Sequence, residues 1–190
     1  MGFLGKAGPK GVIVLAIALV SLLVFTSWVA LSYNAFVRRD TAVLAQWAQV
    51  ENVYQRKIDL IPELRAVALN YTQFERSVLE NITRLRSQWQ NASGIDQRIN
   101  YSNSIDQNLY TIWVTYEAYP ELKSAYLLAG LMDSYSEAEN MIAVERMRFN
   151  EAVRVYNTQV RSFPDAFVAN SFGFREHPYY DPIPGGPGGP

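Results

Sequence analysis

Two residue types that carry much of enzyme and metal chemistry are scarce in this chain, which has no cysteine and one histidine among 190 residues. Without cysteine, disulfide bonds, thiolate catalysis and cysteine-ligated metal sites are excluded. The single histidine, His177, directly precedes Pro178 in a segment rich in proline and glycine, which does not hold an imidazole rigidly enough for a Ser-His-Asp site. A di-iron bundle is excluded too, because it needs Glu-x-x-His pairs on two helices.

An excess of charge of either sign is also lacking, since the 17 Lys and Arg residues nearly balance the 18 Asp and Glu residues. The chain therefore has no basic footprint for nucleic acid. The HExxH, P-loop and GxGxxG patterns do not occur, and no pair of carboxylates is set apart by its neighbours. We therefore predict a protein that is not an enzyme and that uses no cofactor or metal.

The most conspicuous feature that is present is a long uncharged run, residues 12–33, which reads VIVLAIALVSLLVFTSWVALSY. At a rise of ~1.5 Å per residue, a helix of this length spans roughly 33 Å, enough to cross a hydrocarbon core of ~30 Å. Trp28 and Tyr33 lie towards one end, where amphipathic rings favour the membrane interface. We predict a short polar N-terminus over residues 1–11 and a single transmembrane helix over residues 12–33.

Two other interpretations of this run stay open. A cleaved secretory signal would end at a small-residue site such as Ala30-Leu31-Ser32, but its apolar region is shorter, ~7–15 residues. A pilin-type leader would be cut near Lys10-Gly11 and would leave the apolar helix in place. The length of the run favours a retained anchor.

The side of the membrane that the rest of the chain occupies follows from weaker signals. Lys6 and Lys10 favour a cytoplasmic N-terminus, whereas Arg38 and Arg39 favour the opposite orientation. Four Asn-X-Ser/Thr sequons are possible N-glycosylation sites, at Asn70, Asn81, Asn91 and Asn100. If they are glycosylated, the chain beyond the span lies outside the cell. We favour this external placement.

Helical periodicity dominates the chain after the span. Apolar residues recur at steps of three and four from Val43 to Ile61, are interrupted at Pro62, and resume from Val67 to Trp89. The segment Asn91-Ala92-Ser93-Gly94 predicts a turn. A second stretch runs from Ile95 to Pro120, and a third, with heptad spacing, reaches Phe163 before Pro164.

This pattern predicts an all-α fold in which the transmembrane helix continues into an antiparallel bundle of long helices over residues 34–175. Asp165 to Arg175 should fold back as a short apolar cap, because its four large apolar residues would otherwise be exposed. Residues 176–190 form a Pro/Gly-rich tail, predicted to be extended or disordered. Core packing accounts for most aromatic residues, although Trp89 and Trp113 are candidate surface anchors for a partner.

Several polar residues interrupt the apolar stripes. Glu139 and Arg146 occupy inward positions one heptad apart, and Asn150 and Asn157 lie beside the same seam. A buried charge is costly unless it is paired, and the nearest candidate partners are Asp59, Glu117 and Arg56. We predict a buried polar network of Asp59, Glu139, Arg146, Asn150 and Asn157 that sets helix register. A ligand or peptide site is the less favoured interpretation of the same residues.

Six sequence blocks, in this order and spacing, resemble the LemA family: Tyr33-Asn34, Trp47, RKIDLIPEL (56–64), EAYPELK (117–123), residues 137–164 and Gly173-Phe174. The resemblance implies a membrane-anchored bundle of long antiparallel helices and places the predicted network within family motifs, but it implies no activity. The family is often drawn with its short N-terminus outside, against the sequon argument. Glu63 and Lys57 depart from the common Asn and Arg, and the Pro/Gly tail lies outside the pattern.

A span joined to a long bundle favours a structural function. We expect a membrane-anchored scaffold of the cell envelope, in contact with membrane lipid and with further copies of itself or another membrane protein. An uncharged span offers no polar route for solutes, which argues against a transporter. The alternative is a sensor or adaptor that captures a ligand or peptide for a membrane partner.

Overall fold

The computed structural model describes residues 9–181, in which the regular secondary structure is helical and no strand occurs. The helices in chain order are α1 (Pro9–Asp59), α2 (Ile61–Ala68), α3 (Arg76–Asn91), α4 (Ile95–Ala118), α5 (Pro120–Lys123), α6 (Tyr126–Arg161) and α7 (Asp165–Phe172). This confirms the predicted all-α class, in which the long apolar N-terminal helix continues without a break as far as Asp59. The predictions for residues 1–8 and 182–190 lie outside the described residues.

The described residues divide into two units. The first combines residues up to Thr41 with Val155–Glu176, and the second combines Ala42–Arg154 with residues 177–181.

In the first unit, the uncharged run is helical and uncovered. Eleven large apolar side chains between Val12 and Phe25 are 51–66% exposed. Within the described residues one helix is long and apolar enough to cross a membrane, and its apolar window is 0% buried. The core helix of a water-soluble domain buries such a stripe instead, so the run has the surface of a helix that lies in lipid.

The apolar cap also belongs to the first unit. The Phe174 ring stacks on Phe36 with centroids 4.8 Å apart, and Val168 is 1% exposed. Gly173 ends α7 at φ +79°, a left-handed conformation that favours glycine at a helix C-terminus. The predicted fold-back is confirmed for these residues. The expectation that the fold-back covers all four large apolar residues is wrong, because Phe167 and Phe172 remain 62% and 55% exposed.

In the second unit the helices pack in antiparallel pairs. Trp89 and Asn81 of α3 contact Ser102 and Asn108 of α4, so sequence numbers rise on one helix as they fall on the other. The same crossing relates α1 to α6, because Gln46 bonds to Glu145 whereas Lys57 bonds to Glu139. The predicted antiparallel arrangement is therefore confirmed.

Proline and the Asn-Ala-Ser-Gly turn set most helix ends where they were expected. Helix α1 ends just before Pro62, α3 ends at Asn91, and α7 follows Pro164. The uninterrupted helical stripe expected from Val67 to Trp89 is wrong, because residues 69–75 separate α2 from α3. Asn70 and Thr72 are weak helix formers, and Phe74 stays buried at 6% exposure, so the apolar spacing survives the break and conceals it.

Candidate functional site

A buried lysine lies at the centre of the second unit. Lys57 is 1% exposed, and its Nζ bonds to Asp106 Oδ1 at 2.7 Å and to Glu139 Oε1. The three side chains come from α1, α4 and α6, so one ammonium joins three helices. A buried ammonium without a partner would be expensive, and two carboxylates of 14% and 13% side-chain exposure supply the counter-charge.

Two tyrosines enclose this ammonium. Lys57 Nζ lies 5.2 Å from the Tyr54 ring centroid and 5.1 Å from that of Tyr135, within cation–π range. The Tyr54 hydroxyl donates to Asp106 Oδ1 at 2.7 Å. Burial raises the pKa of both phenols well above the ordinary value, with the charge of Asp106 as a further cause at Tyr54. Both tyrosines therefore stay neutral at physiological pH, and neither supplies a general base.

Trp89 completes the wall of the cluster on the Tyr54 side. Its ring stacks on Tyr54 with centroids 5.3 Å apart and an interplanar angle of 28°. Its Nε1 donates to Ser102 Oγ at 3.0 Å, and the residue is 3% exposed. The prediction of a surface anchor at Trp89 is therefore wrong. Trp113 is half-buried and contacts the Tyr135 ring at 6.0 Å.

The predicted polar network is brought together only in part. Glu139 lies in the lysine cluster, but its cation is Lys57 and not Arg56. Asp59 is not part of it: its carboxylate is 51% exposed and accepts hydrogen bonds from Gln55 and Arg86. Helix geometry explains the error, because residue 59 lies about 200° around the helix from residue 57. Glu117, the third suggested partner, pairs with Lys123 at the surface.

Sequence reasoning missed Lys57 and Asp106, although a signal for each was present. Lys57 falls between Tyr54 and Ile61 in the same three-and-four spacing that singled out Glu139 and Arg146. Asp106 likewise precedes Leu109 by three residues. A systematic search for every charge in a stripe position would have found both.

The remaining predicted residues lie elsewhere. Asn157 is 4% exposed in the first unit. Asn150, in the second unit, holds the backbone of Tyr180: its Nδ2 donates to Tyr180 O at 3.0 Å and its Oδ1 accepts from Tyr180 N at 2.8 Å. Arg146 is 7% exposed, with its guanidinium 5.3 Å from the Tyr180 ring centroid.

One residue of the non-helical segment before residue 182, Tyr180, is therefore part of the core. Tyr180 is 0% exposed and its ring lies 6.3 Å from Trp47. Burial raises the pKa of its hydroxyl well above the ordinary value, with the Asp106 charge as a secondary cause. The prediction that the Pro/Gly tail begins at residue 176 without core contacts is wrong for Tyr180, and the tail from residue 182 lies outside the described residues.

A surface groove of about 840 Å³ borders this segment, lined by Ala143, Arg146, Met147, Arg148, Asn150, Glu151, Arg154, Tyr179 and Tyr180. Arg148 pairs with Glu145 and Arg154 pairs with Glu151. None of the ion pairs among residues 9–181 includes Arg146. The groove thus combines one buried arginine with methionine and tyrosine surfaces, a combination that suits an anionic group attached to an apolar body.

Residues 9–181 hold no group of three His, Asp or Glu side chains placed to bind a metal ion.

Of the four sequon asparagines, Asn70, Asn91 and Asn100 are exposed, whereas Asn81 is half-buried and its Nδ2 donates to Asn108 Oδ1 at 3.2 Å. Glycosylation of the four remains a prediction.

The sequence pattern described as the LemA family matches residues 46–184. The match extends past residue 175 to include Tyr180, which corrects the expectation that the family pattern ends before the tail. The chain is 24% identical to the magnetosome protein MamQ of Magnetospirillum gryphiswaldense, covering 92% of this chain and 74% of that protein. It is 22% identical to the magnetosome proteins MamQ 1 and MamQ 2 of Paramagnetospirillum magneticum, covering 90% of this chain and 73% of each.

Proposed function

The chain belongs to the LemA family, and from that premise we propose that it is a non-catalytic scaffold of the cell envelope, held by a single membrane span over residues 12–33. The observation that carries the proposal is the uncovered apolar run. Its eleven large apolar side chains are each at least 51% exposed. At about 1.5 kcal/mol or more per side chain, their exposure to water would cost on the order of 15 kcal/mol, as much as the whole stability of a domain.

The bundle has features of a rigid support. Lys57, Asp106 and Glu139 tie three helices at one point, and such buried polar contacts set helix register. Burial holds the pKa of the Tyr54 and Tyr135 hydroxyls well above the ordinary value, so neither residue forms a phenolate near neutrality. The relatives are named after the magnetosome, a cellular structure, and not after a reaction, which supports a structural function.

Self-assembly belongs to the same proposal. Apolar side chains outside the uncharged run remain on the surface of the second unit, with Tyr126 at 88% and Leu127 at 64% exposure. Tyr110 and Val114, one turn apart on α4, are 40% and 48% exposed. A second copy or another membrane protein would cover such surfaces.

The test is purification of the full chain from native membranes without crosslinker, followed by mass spectrometry of the intact assembly. We expect several copies, or one copy with a membrane protein in fixed ratio. A monomer that co-purifies with no protein in fixed ratio contradicts the scaffold. The same spectra report glycan mass, and Asn70→Gln and Asn100→Gln variants assign it. Glycans would support the external bundle; their absence removes that support.

A second candidate function, a sensor or adaptor for an anionic ligand, is favoured by one observation. Arg146 is 7% exposed, lines the groove and pairs with no carboxylate among residues 9–181. The test compares Arg146→Met with Arg148→Met for binding of apolar peptides that carry a free C-terminal carboxylate. Loss of binding with retained helicity in the Arg146 variant alone supports the sensor. If both variants bind the peptides equally, Arg146 contributes to packing and does not bind a ligand.

A further inference from the structure

Helix α7 lies beside the end of the uncharged run. The Ser32 hydroxyl donates to Asp165 Oδ1 at 2.7 Å. The Phe172 ring lies 5.1 Å from Tyr33 in an edge-to-face contact. Ser32 and Tyr33 are the last two residues of the run, so these contacts place α7 at the level where the proposed span leaves the hydrocarbon.

Large apolar side chains remain exposed in this segment. Phe163 is 93% exposed, Phe167 is 62% and Phe172 is 55%, whereas Val168 and Ala169 of α7 are each 1% exposed. Asn170 and Ser171 are exposed as well, so the exposed surface of α7 is amphipathic. Three exposed phenylalanines within ten residues of the chain provide an apolar patch, with about 1.5–3 kcal/mol available per ring that a partner surface buries.

The charges near the patch suit an anionic surface. Arg38 and Arg39 follow the run directly, and Arg175 follows the cap. All three are exposed, and none of them takes part in an ion pair within the described part of the chain. Unpaired arginines beside an apolar patch are typical of segments that lie on anionic lipid.

We propose that Phe163 and α7 form a second membrane contact, with the three phenylalanine rings inserted at the headgroup–acyl boundary of the leaflet where the span emerges. The proposal rests on the membrane span proposed above. Lipid is the occupant because the patch is continuous with the run: a bilayer that surrounds residues up to Tyr33 necessarily reaches a helix bonded to Ser32. The contact would give the first unit a fixed depth, which a lone span does not provide.

The absence of native cysteine permits a direct test. Single variants Phe163→Cys, Phe167→Cys and Phe172→Cys of the full chain are labelled with a nitroxide and reconstituted in vesicles of phosphatidylcholine and phosphatidylglycerol. Collision of the label with oxygen, which concentrates in lipid, is compared with collision with a water-soluble nickel complex. Leu22→Cys is the lipid reference, and Met147→Cys, 66% exposed in the second unit, is the aqueous reference.

We expect the three labels to lose collisions with nickel relative to the Met147 label and to report a depth of about 5–10 Å, shallower than the Leu22 label. Labels as accessible to nickel as that at Met147, with Leu22 still in lipid, overturn the α7 contact and leave the span standing. An aqueous signal at Leu22 overturns the span itself. If a label is shielded from both reagents and shows spin–spin coupling to the same label on another chain, a second copy covers the patch. This result also overturns the lipid contact.

Discussion

Replacement of Lys57 by methionine tests the buried ion cluster most sharply. Methionine approximates the volume of the side chain and removes the one cation that Asp106 and Glu139 share. Two largely buried carboxylates then face each other without a counter-charge. Removal of one partner from a buried ion pair costs about 3–5 kcal/mol. For a chain of this size, a loss of that magnitude lowers the melting temperature by roughly 6–20 °C.

Lys123→Met is the matched control. Lys123 also pairs with a glutamate, but the side chains of Lys123 and Glu117 are 44% and 45% exposed. Solvent screens such a pair, so its loss costs about 0–1 kcal/mol. Both variants are melted as the full chain in detergent, with helicity followed by circular dichroism.

A third variant separates charge from packing. Lys57→Met combined with Asp106→Asn and Glu139→Gln removes all three charges, and we expect it to regain part of the lost melting temperature, because no unpaired charge remains. If Lys57→Met has the same melting temperature as the Lys123→Met control, the buried cluster does not stabilise the bundle. If the neutral triple variant melts lower still, the ion pairs themselves, rather than the unpaired carboxylates, carry the stability.

Three further predictions concern single residues. Tyr180→Ala removes a fully buried ring and should cost about 3–5 kcal/mol, seen as a lower melting temperature; an unchanged melt would show that Tyr180 is not part of the core. Asp59→Asn should change stability by no more than about 0.5 kcal/mol, because the carboxylate is 51% exposed, and a larger loss in the same assay would return Asp59 to the network. Burial, with the Asp40 charge adding to it, raises the pKa of Tyr156 to about 12. Because the unfolded phenol ionises near pH 10, this tyrosine's stabilising contribution is complete below about pH 10 and is lost between about pH 10 and pH 12. The Tyr156→Phe variant should therefore lose less stability than the parent on going from about pH 9 to about pH 11 in urea titrations, and equal losses would contradict the assignment.

The helical class and most helix ends follow from local rules that sequence exposes directly. Pro62, Pro120 and Pro164 act on their own neighbours, so their effects are visible without knowledge of the fold. The break at residues 69–75 was not visible, because Tyr71 and Phe74 keep helical spacing through a segment that is not helical. Periodicity reports which residues face the core and not whether the backbone between them is continuous.

The site was less predictable for a related reason. A charge in a stripe can be recognised as buried, as Glu139 and Arg146 were, but its partner comes from another helix. Choosing Lys57 over Arg56 requires the rotation of α1 against α6, where one residue changes the facing direction by about 100°. Tyr180 was missed because composition describes a segment as a whole, whereas Asn150 anchors one residue of it through two backbone hydrogen bonds.

The central claim, that residues 12–33 lie in lipid, is tested most directly by alkaline extraction of native membranes followed by flotation on a density gradient. Alkaline conditions release proteins held by charge or by another protein and leave spanning helices in place. We predict that the full chain floats with the lipid, and that Leu15→Arg combined with Leu19→Arg, at about 2.5–3.5 kcal/mol per charge, moves it to the soluble fraction. Full-length parent protein in the soluble fraction would contradict the span and the functions built on it.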